Sequence, residues 1–344
     1  MKAIVVDEQT PDRALAWREV PDPSCGPDEV IVDIHATAVN RADLLQRSGN
    51  YPPPPGAPPY MGLEMAGVVR HVGAQVDQWR PGDRVCALLA GGGYAEQVAV
   101  PAPLLRRIPD SWDFVTAGAV PEVFYTAFVN IFIEGALQDG ETLLVHGGAS
   151  GVGTAAIQLA RAAGNPVLIT ASAPAKLETC LALGAALAIN YRQEDFVAAV
   201  KKHCGGVDVI LDISGGAYLS RNLSLLNRQG RIVLIALLGG AEAPIDLGLV
   251  LRQRLRLIGS VLRSRSLAEK VAIADQFEQR FWPLLVDGSI APIIDTVLPI
   301  DQAAQAQAIL EGNQNIGKVV LRRFQKNKHS ASSRRGFHVD KPLG

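Results

Sequence analysis

Glycines at positions 147, 148, 151 and 153 fall close together in the stretch ETLLVHGGASGVGTAAIQLARAAG, residues 141–164. Residues without a Cβ let the backbone turn tightly and let its N–H groups come near a charged group. If a helix starts there, those N–H groups and its positive dipole end stabilise a phosphate. The flanks supply the rest of the unit. Leu143 to Val145 is an apolar run of strand length, and Ala155, Ala156, Leu159 and Ala160 recur at helical spacing. Strand, glycine-rich turn and amphipathic helix, in that order, form the crossover that holds a dinucleotide pyrophosphate. Glycine at such a turn also serves close packing, and it is the flanking strand and helix that favour the nucleotide.

The second strand of the unit points to which dinucleotide. NAD-binding units end that strand with an acid for the ribose 2′-hydroxyl. Here VLITASAPAK, residues 167–176, has none. Ser172 and Lys176 stand there instead, and Tyr191 ends the third strand. A hydroxyl and an ammonium suit a 2′-phosphate that a carboxylate would repel, so NADPH is the expected cofactor. The alternative is that Ser172 caps the next helix and Lys176 is a solvated surface charge.

These residues need a scaffold, and the chain changes grammar to provide one. Strand patterns at residues 2–6, 28–39, 65–73 and 84–89, separated by turns such as Pro81-Gly82-Asp83, predict a β-rich, barrel-like first third. From about Pro121, strands at 143–145, 166–170, 186–190, 207–212 and 231–235 alternate with helices at 154–163, 175–183, 194–202 and 217–226. A sixth strand is expected at 255–260. Such alternation predicts a parallel sheet covered on both faces. A helix at 267–285, a strand at 293–298, a helix at 301–311 and a strand at 318–322 extend no regular crossover, and point back to the first domain.

The totals restrict the remaining classes. A length of 344 residues suffices for two cores, and 48% hydrophobic with 19% charged residues suits a soluble enzyme. A net charge of −1 gives no footprint for nucleic acid. Cys25, Cys86, Cys180 and Cys204 are too scattered for zinc-ribbon spacing and read as buried thiols of a reducing compartment. The N-terminus resembles no signal or transit peptide, and no uninterrupted apolar segment approaches membrane-spanning length. A cytoplasmic protein without a membrane partner is the expectation. The polar, basic residues 325–344 are expected to form a disordered tail.

Taken together, NRADLLQRSGNYPPPPGAPPYMGLEMAGVV, HGGASGVGTAAIQLARAAG and NIGKVVL resemble the zeta-crystallin-like quinone oxidoreductases of the medium-chain dehydrogenase/reductase superfamily. The nearest resemblance is to their tumour-suppressor-inducible branch, over residues 1 to about 324. It implies an α/β architecture: a GroES-like β-rich catalytic domain (1–122 and 266–324) and a Rossmann domain (123–265), joined as a homodimer. Zinc enzymes of that superfamily carry a Cys where this chain has Asn40 or Arg41, and Gly-His-Glu where it reads Gly62-Leu63-Glu64. Leu63 cannot ligate a metal and the structural zinc lobe is missing, so no metal is expected. Glu64 is then a buried structural carboxylate. Hydride transfer without a Lewis acid fits a quinone, or an alkene conjugated to a carbonyl.

By the same resemblance, Tyr51 lies in a loop over the nicotinamide, as a donor to developing oxygen charge or a pocket wall. Asn40 orients substrate or nicotinamide, or caps a helix. Arg41 and Asp43 form an ion pair or cap; the alternative is Arg41 near the cofactor phosphate. Thr126 lies near the nicotinamide ribose, and Ser150, Gly151 and Val152 offer backbone N–H groups to the pyrophosphate. Leu237 and Leu238 pack nicotinamide and ribose, or fill the core. Leu262, Arg263 and Ser264 flank the nicotinamide, and Asn315 to Lys318 clamp the cofactor; the alternative for Arg263 and Lys318 is solvated charge. The implied activity is NADPH-dependent quinone reduction. Competing readings are an enoyl-thioester or enone reductase and, from another class, a structural or RNA-binding protein that holds NADPH with little turnover.

Overall fold

The computed structural model describes residues 1–323. The first part of the chain carries β1 (Lys2–Val6), β2 (Leu15–Glu19), β3 (Glu29–Val39), helix α1 (Arg41–Arg47), β4 (Glu64–Val72), β5 (Arg84–Leu88), β6 (Gln97–Pro101) and β7 (Arg106–Arg107). Helices α2 (Phe114–Ala117) and α3 (Pro121–Phe128) follow. Next come β8 (Leu143–His146), α4 (Gly151–Ala162), β9 (Val167–Ala171), α5 (Pro174–Ala182), β10 (Leu187–Asn190), α6 (Phe196–Cys204), β11 (Val207–Asp212), α7 (Leu219–Leu223), β12 (Leu226–Leu234), α8 (Leu247–Gln253) and β13 (Arg256–Gly259). The chain returns through α9 (Leu267–Arg280), α10 (Trp282–Val286), β14 (Ile294–Pro299), α11 (Ala303–Glu311) and β15 (Lys318–Arg322).

Strands β8 to β13 pair in parallel, in the order β10-β9-β8-β11-β12-β13. Alternate side chains feed two cores. Leu143, Val145 and Ile169 pack with Ala155 and Leu159 of α4 on one face, while Leu144, Leu168 and Ile210 pack with Phe196 and Val200 of α6 on the other. Helices on both faces are the geometric consequence of parallel crossovers. The order reverses between β8 and β11, which opens a crevice at the carboxyl ends of the strands. The remaining strands form a sheet in the order β14-β15-β3-β4-β5-β7, with β6 on β3, and β1 with β2 make a ribbon. The last strand, β15, pairs antiparallel with β3, so the end of the chain does return to the first sheet.

Four differences from the sequence pattern have physical causes. The helix expected over 217–226 shrinks to α7, because Leu226 already begins β12 and Gln229 takes φ +66° beside Gly230. The helix expected over 267–285 breaks at Phe281, since Pro283 has no N–H to continue it. The stretch Phe114–Glu134, helical apart from a turn at residues 118–120, went unread: it is broken into short pieces, and α3 has eight residues, nearly all buried. It is also long and apolar enough to cross a membrane by length and composition, contrary to expectation, yet 78% of its most apolar 18-residue window is packed inside the protein. Strands β2, β6 and β7 went unread. The tail expected over residues 325–344 lies outside the described residues.

Candidate active site

Ser150 is the N-cap of α4 and its hydroxyl accepts the Gly153 N–H at 3.0 Å. Its own N–H is spent on the Gly147 carbonyl (2.9 Å), so of the three residues expected to bind pyrophosphate, Gly151 and Val152 hold the N–H groups of the first helical turn. Gly147 takes φ +71°, which a side chain would resist. A Cβ on Gly151 would lie 2.8 Å from Lys318 Cδ and 2.9 Å from Val123 Cγ1. The turn is therefore closed beneath by β15 and α3. A bridge between Ser150 and Gly317 fastens it there.

At the neighbouring strand ends, Ala171 pairs with Asn190, which sets Ser172 beside Tyr191, and the Tyr191 N–H donates to Ala171 O at 3.2 Å. Ala173, not Ser172, is the N-cap of α5, so the hydroxyl of Ser172 is not used as a cap. Lys176, in the first turn of α5, donates to the Asn313 carbonyl at 2.6 Å and is only half exposed. Its pKa is lowered, first by burial, although Asp295 pulls it up, and then by Arg192 and Arg41 nearby. Three cations thus converge where an NAD site has an acid. Arg41 was the alternative expected near the cofactor phosphate, whereas Arg192 had no sequence signal beyond its charge. Arg41 itself binds Leu310 O (2.8 Å) and Asn313 Oδ1 (2.7 Å), so it makes no pair with Asp43.

Three residues expected at the cofactor or substrate face elsewhere. Asn40 is 6% exposed; its amide donates to Glu64 Oε1 (3.0 Å) and its Oδ1 accepts from Lys318 Nζ (2.6 Å). The ammonium of Lys318 also reaches Glu64 Oε1 at 2.8 Å, with its side chain 3% exposed. Both side chains are consumed by a buried knot, because a charge in the interior must be paired and hydrogen-bonded. Lys318 is not a solvated charge, and a divalent ion between Asn40 and Glu64 would have to displace it. Asp43 joins the knot as the α1 cap, accepting from the N–H groups of Asn40 (2.8 Å) and Gly62 (3.1 Å) and from the Tyr94 hydroxyl (3.0 Å). Burial pushes its pKa up to about 6. Arg263, also buried, donates to Ala90 O (2.7 Å), Gln46 Oε1 (2.7 Å) and Tyr51 O (3.3 Å) and lies 5.2 Å from the Tyr51 ring centre. Its guanidinium fixes the tyrosine loop. Asn315 donates to Gly317 O (2.6 Å) and braces its own turn.

Tyr51 is partly buried, and its hydroxyl has no hydrogen-bond partner among the described residues. Burial raises its pKa, which keeps the phenol protonated, with Arg263 pulling the other way. Leu237 and Leu238, 51% and 57% exposed, follow β12 as an open apolar wall and belong to no core. Leu262 is partly buried and Ser264 exposed. Thr126 is 9% exposed, with its hydroxyl 3.4 Å from Glu122 Oε1. Glu122 went unnoticed as a site residue, although an acid inside the run AGAVPEVFYTAF was a signal.

Comparison with known proteins bears on family and fold. Residues 26–110 match the model of the alcohol dehydrogenase GroES-like domain, and residues 151–277 that of the zinc-binding dehydrogenases. The chain is 31% identical over 301 residues to a quinone oxidoreductase of Sus scrofa, covering 86% of this chain and 89% of that one. It superposes on the Escherichia coli quinone oxidoreductase complexed with NADPH with a TM-score of 0.83 at 28% identity, over 94% of this chain and all of the other. The CurK enoyl reductase gives a TM-score of 0.82 at 26% identity, over 94% and 99% of the two chains. Two-domain architecture, glycine turn and extended similarity converge: the chain belongs to the quinone oxidoreductase family of the medium-chain dehydrogenases/reductases.

Proposed function

We propose that this protein is an NADPH-dependent quinone oxidoreductase, working without a metal. The observation that carries the reading is the unpartnered, half-buried Tyr51 hydroxyl on a loop that Arg263 holds in place. Reduced nicotinamide, when bound, supplies hydride. The chain's own residues do the rest. Gly151 and Val152 N–H groups and the α4 dipole hold the pyrophosphate. Ser172, Lys176 and Tyr191, with Arg192 and Arg41 near, hold the 2′-phosphate. Leu237, Leu238, Leu262, Ser264 and Thr126 line the nicotinamide end and exclude water. Tyr51 donates a hydrogen bond to the oxygen that gains charge. The catalytic unit is residues 1–122 and 266–324, and the nucleotide unit 123–265.

The likeness to an enoyl reductase favours one second reading, reduction of an enoyl thioester or enone. Rapid NADPH oxidation with 9,10-phenanthrenequinone, and none with crotonyl-CoA, selects the quinone; the reverse result overturns it. A cytoplasmic homodimer completes the reading. The four cysteines are unpaired. Strand β13 is a sheet edge carrying exposed Leu257, with exposed Leu247, Leu251 and Val261 around it, which suits pairing with a second copy. Sedimentation of the purified protein tests that.

A further inference from the structure

Three acids, Asp43, Glu64 and Glu122, surround one base, Lys318. With all of them charged, this partly closed cluster would carry an excess of two negative charges, so a proton must be retained near neutrality. The hydrogen bonds decide where. Glu64 accepts from the Lys318 ammonium, the Asn40 amide and the Glu122 N–H (3.0 Å). Asp43 accepts from two backbone N–H groups and a phenol. Those donors occupy lone pairs on both groups. Among the described residues the Glu122 carboxyl accepts only from the Thr126 hydroxyl, at 3.4 Å. Asp43 and Glu64 are fully buried, whereas Glu122, in the first turn of α3, keeps some surface. The retained proton is therefore assigned to Glu122, the acid with the fewest donors and the most surface.

Building on the quinone-reductase reading, we infer that Glu122 is the proton donor of the reaction, delivering its carboxyl hydrogen to the substrate oxygen after hydride transfer. A quinone that accepts hydride gains two electrons and one hydrogen nucleus and is left as an anion. The Glu122 O–H bond breaks, its electron pair stays on the carboxylate, and the proton forms the new O–H bond of the hydroquinone. Lys318 stabilises the carboxylate left behind, and a solvent proton restores the acid. Lys318 from β15, Glu64 from β4, Asp43 from α1 and Tyr51 from the proline loop are the titratable groups facing Glu122. Its pKa stands at about 7, raised first by burial and then by Glu64 and Asp43, against the pull of Lys318 and Thr126. That value suits an acid working at neutral pH.

The test is Glu122→Gln, with Glu122→Asp as rescue, assayed for kcat with 9,10-phenanthrenequinone between pH 5.5 and 9. NADPH binding is measured by fluorescence titration. Wild-type kcat should fall above about pH 7. The Gln variant should lose ~100-fold at pH 6 and lose the inflection, with NADPH affinity unchanged, and Asp should regain both rate and inflection in part. Infrared titration of the protein without cofactor should give a neutral-carboxyl carbonyl band that vanishes through the same pH range and is missing in the Gln variant. If that variant fails to fold, the wild-type band and the Asp variant decide. An unaltered inflection in Glu122→Gln, or no such band in the wild type, overturns the donor role alone. A wild type that shows the band but oxidises no NADPH with any quinone overturns the functional reading, and the donor role with it.

Discussion

The glycine turn at the head of α4 and the polar knot around Lys318 lie back to back, with the Lys318 stem against Gly151, yet they are built on opposite plans. The turn is local: its strand, glycines, cap and helix are contiguous, and its free N–H groups face outward for a ligand. The knot is assembled from residues far apart in sequence, since Lys318 meets Asn40 across 278 positions and Glu64 across 254. Its donors and acceptors face one another. A site that must bind keeps polar groups unsatisfied, whereas one that must hold strands and helices together pairs them. In the knot Glu122 has the weakest partner, the Thr126 hydroxyl at 3.4 Å.

Lys318→Met strikes hardest at this division. It strands a buried Glu64 carboxylate and should cost about 3–5 kcal/mol in urea unfolding, with partial recovery in the Glu64→Leu/Lys318→Met double variant. Unchanged stability with lost NADPH affinity would move Lys318 to the turn and break the contrast. Tyr51→Phe should lower kcat with 9,10-phenanthrenequinone by ~100-fold and leave the stability curve in place; unchanged turnover with every substrate tried makes Tyr51 a wall. Lys176→Ala should weaken NADPH by ~10-fold in a fluorescence titration and leave NADH nearly untouched. Equal losses for both cofactors would remove the 2′-phosphate from that corner.

A last test of the knot is the linkage between pH and stability. Glu122 has a folded pKa of about 7 against 4.5 for the free side chain. Between those values the folded chain binds a proton that the unfolded chain has released. Its contribution therefore falls as pH rises through that window and is flat above it. Relative to Glu122→Gln, the wild-type urea midpoint should decline from pH 5 to pH 8. A constant difference would show that Glu122 is ionised throughout.

Local sequence made the turn legible, because strand, glycine and helix signals are consecutive. The absence of an acid after β9 was equally readable, and Lys176 does stand among cations. The knot was not. Asn40 and Lys318 were matched to family positions facing the cofactor, but side-chain direction depends on how β3, β4 and β15 register, which no window of sequence contains. Arg263 had the same fate: its three acceptors come from α1, the tyrosine loop and the end of β5's chain segment. Glu122 and the rest of α3 were hidden because the helix spans only eight residues, nearly all of them buried, and follows a turn rather than a strand.

The bridge between Ser150 and Gly317 reaches from the middle of the chain to the final strand. During synthesis the parallel sheet can form early, yet the floor beneath the glycine turn arrives only when residues 317–322 leave the ribosome. Until then a nascent chain has its loops and helices but no finished pocket, and ligand cannot shelter it from chaperones or proteases. Competence to bind is a property of the completed polypeptide.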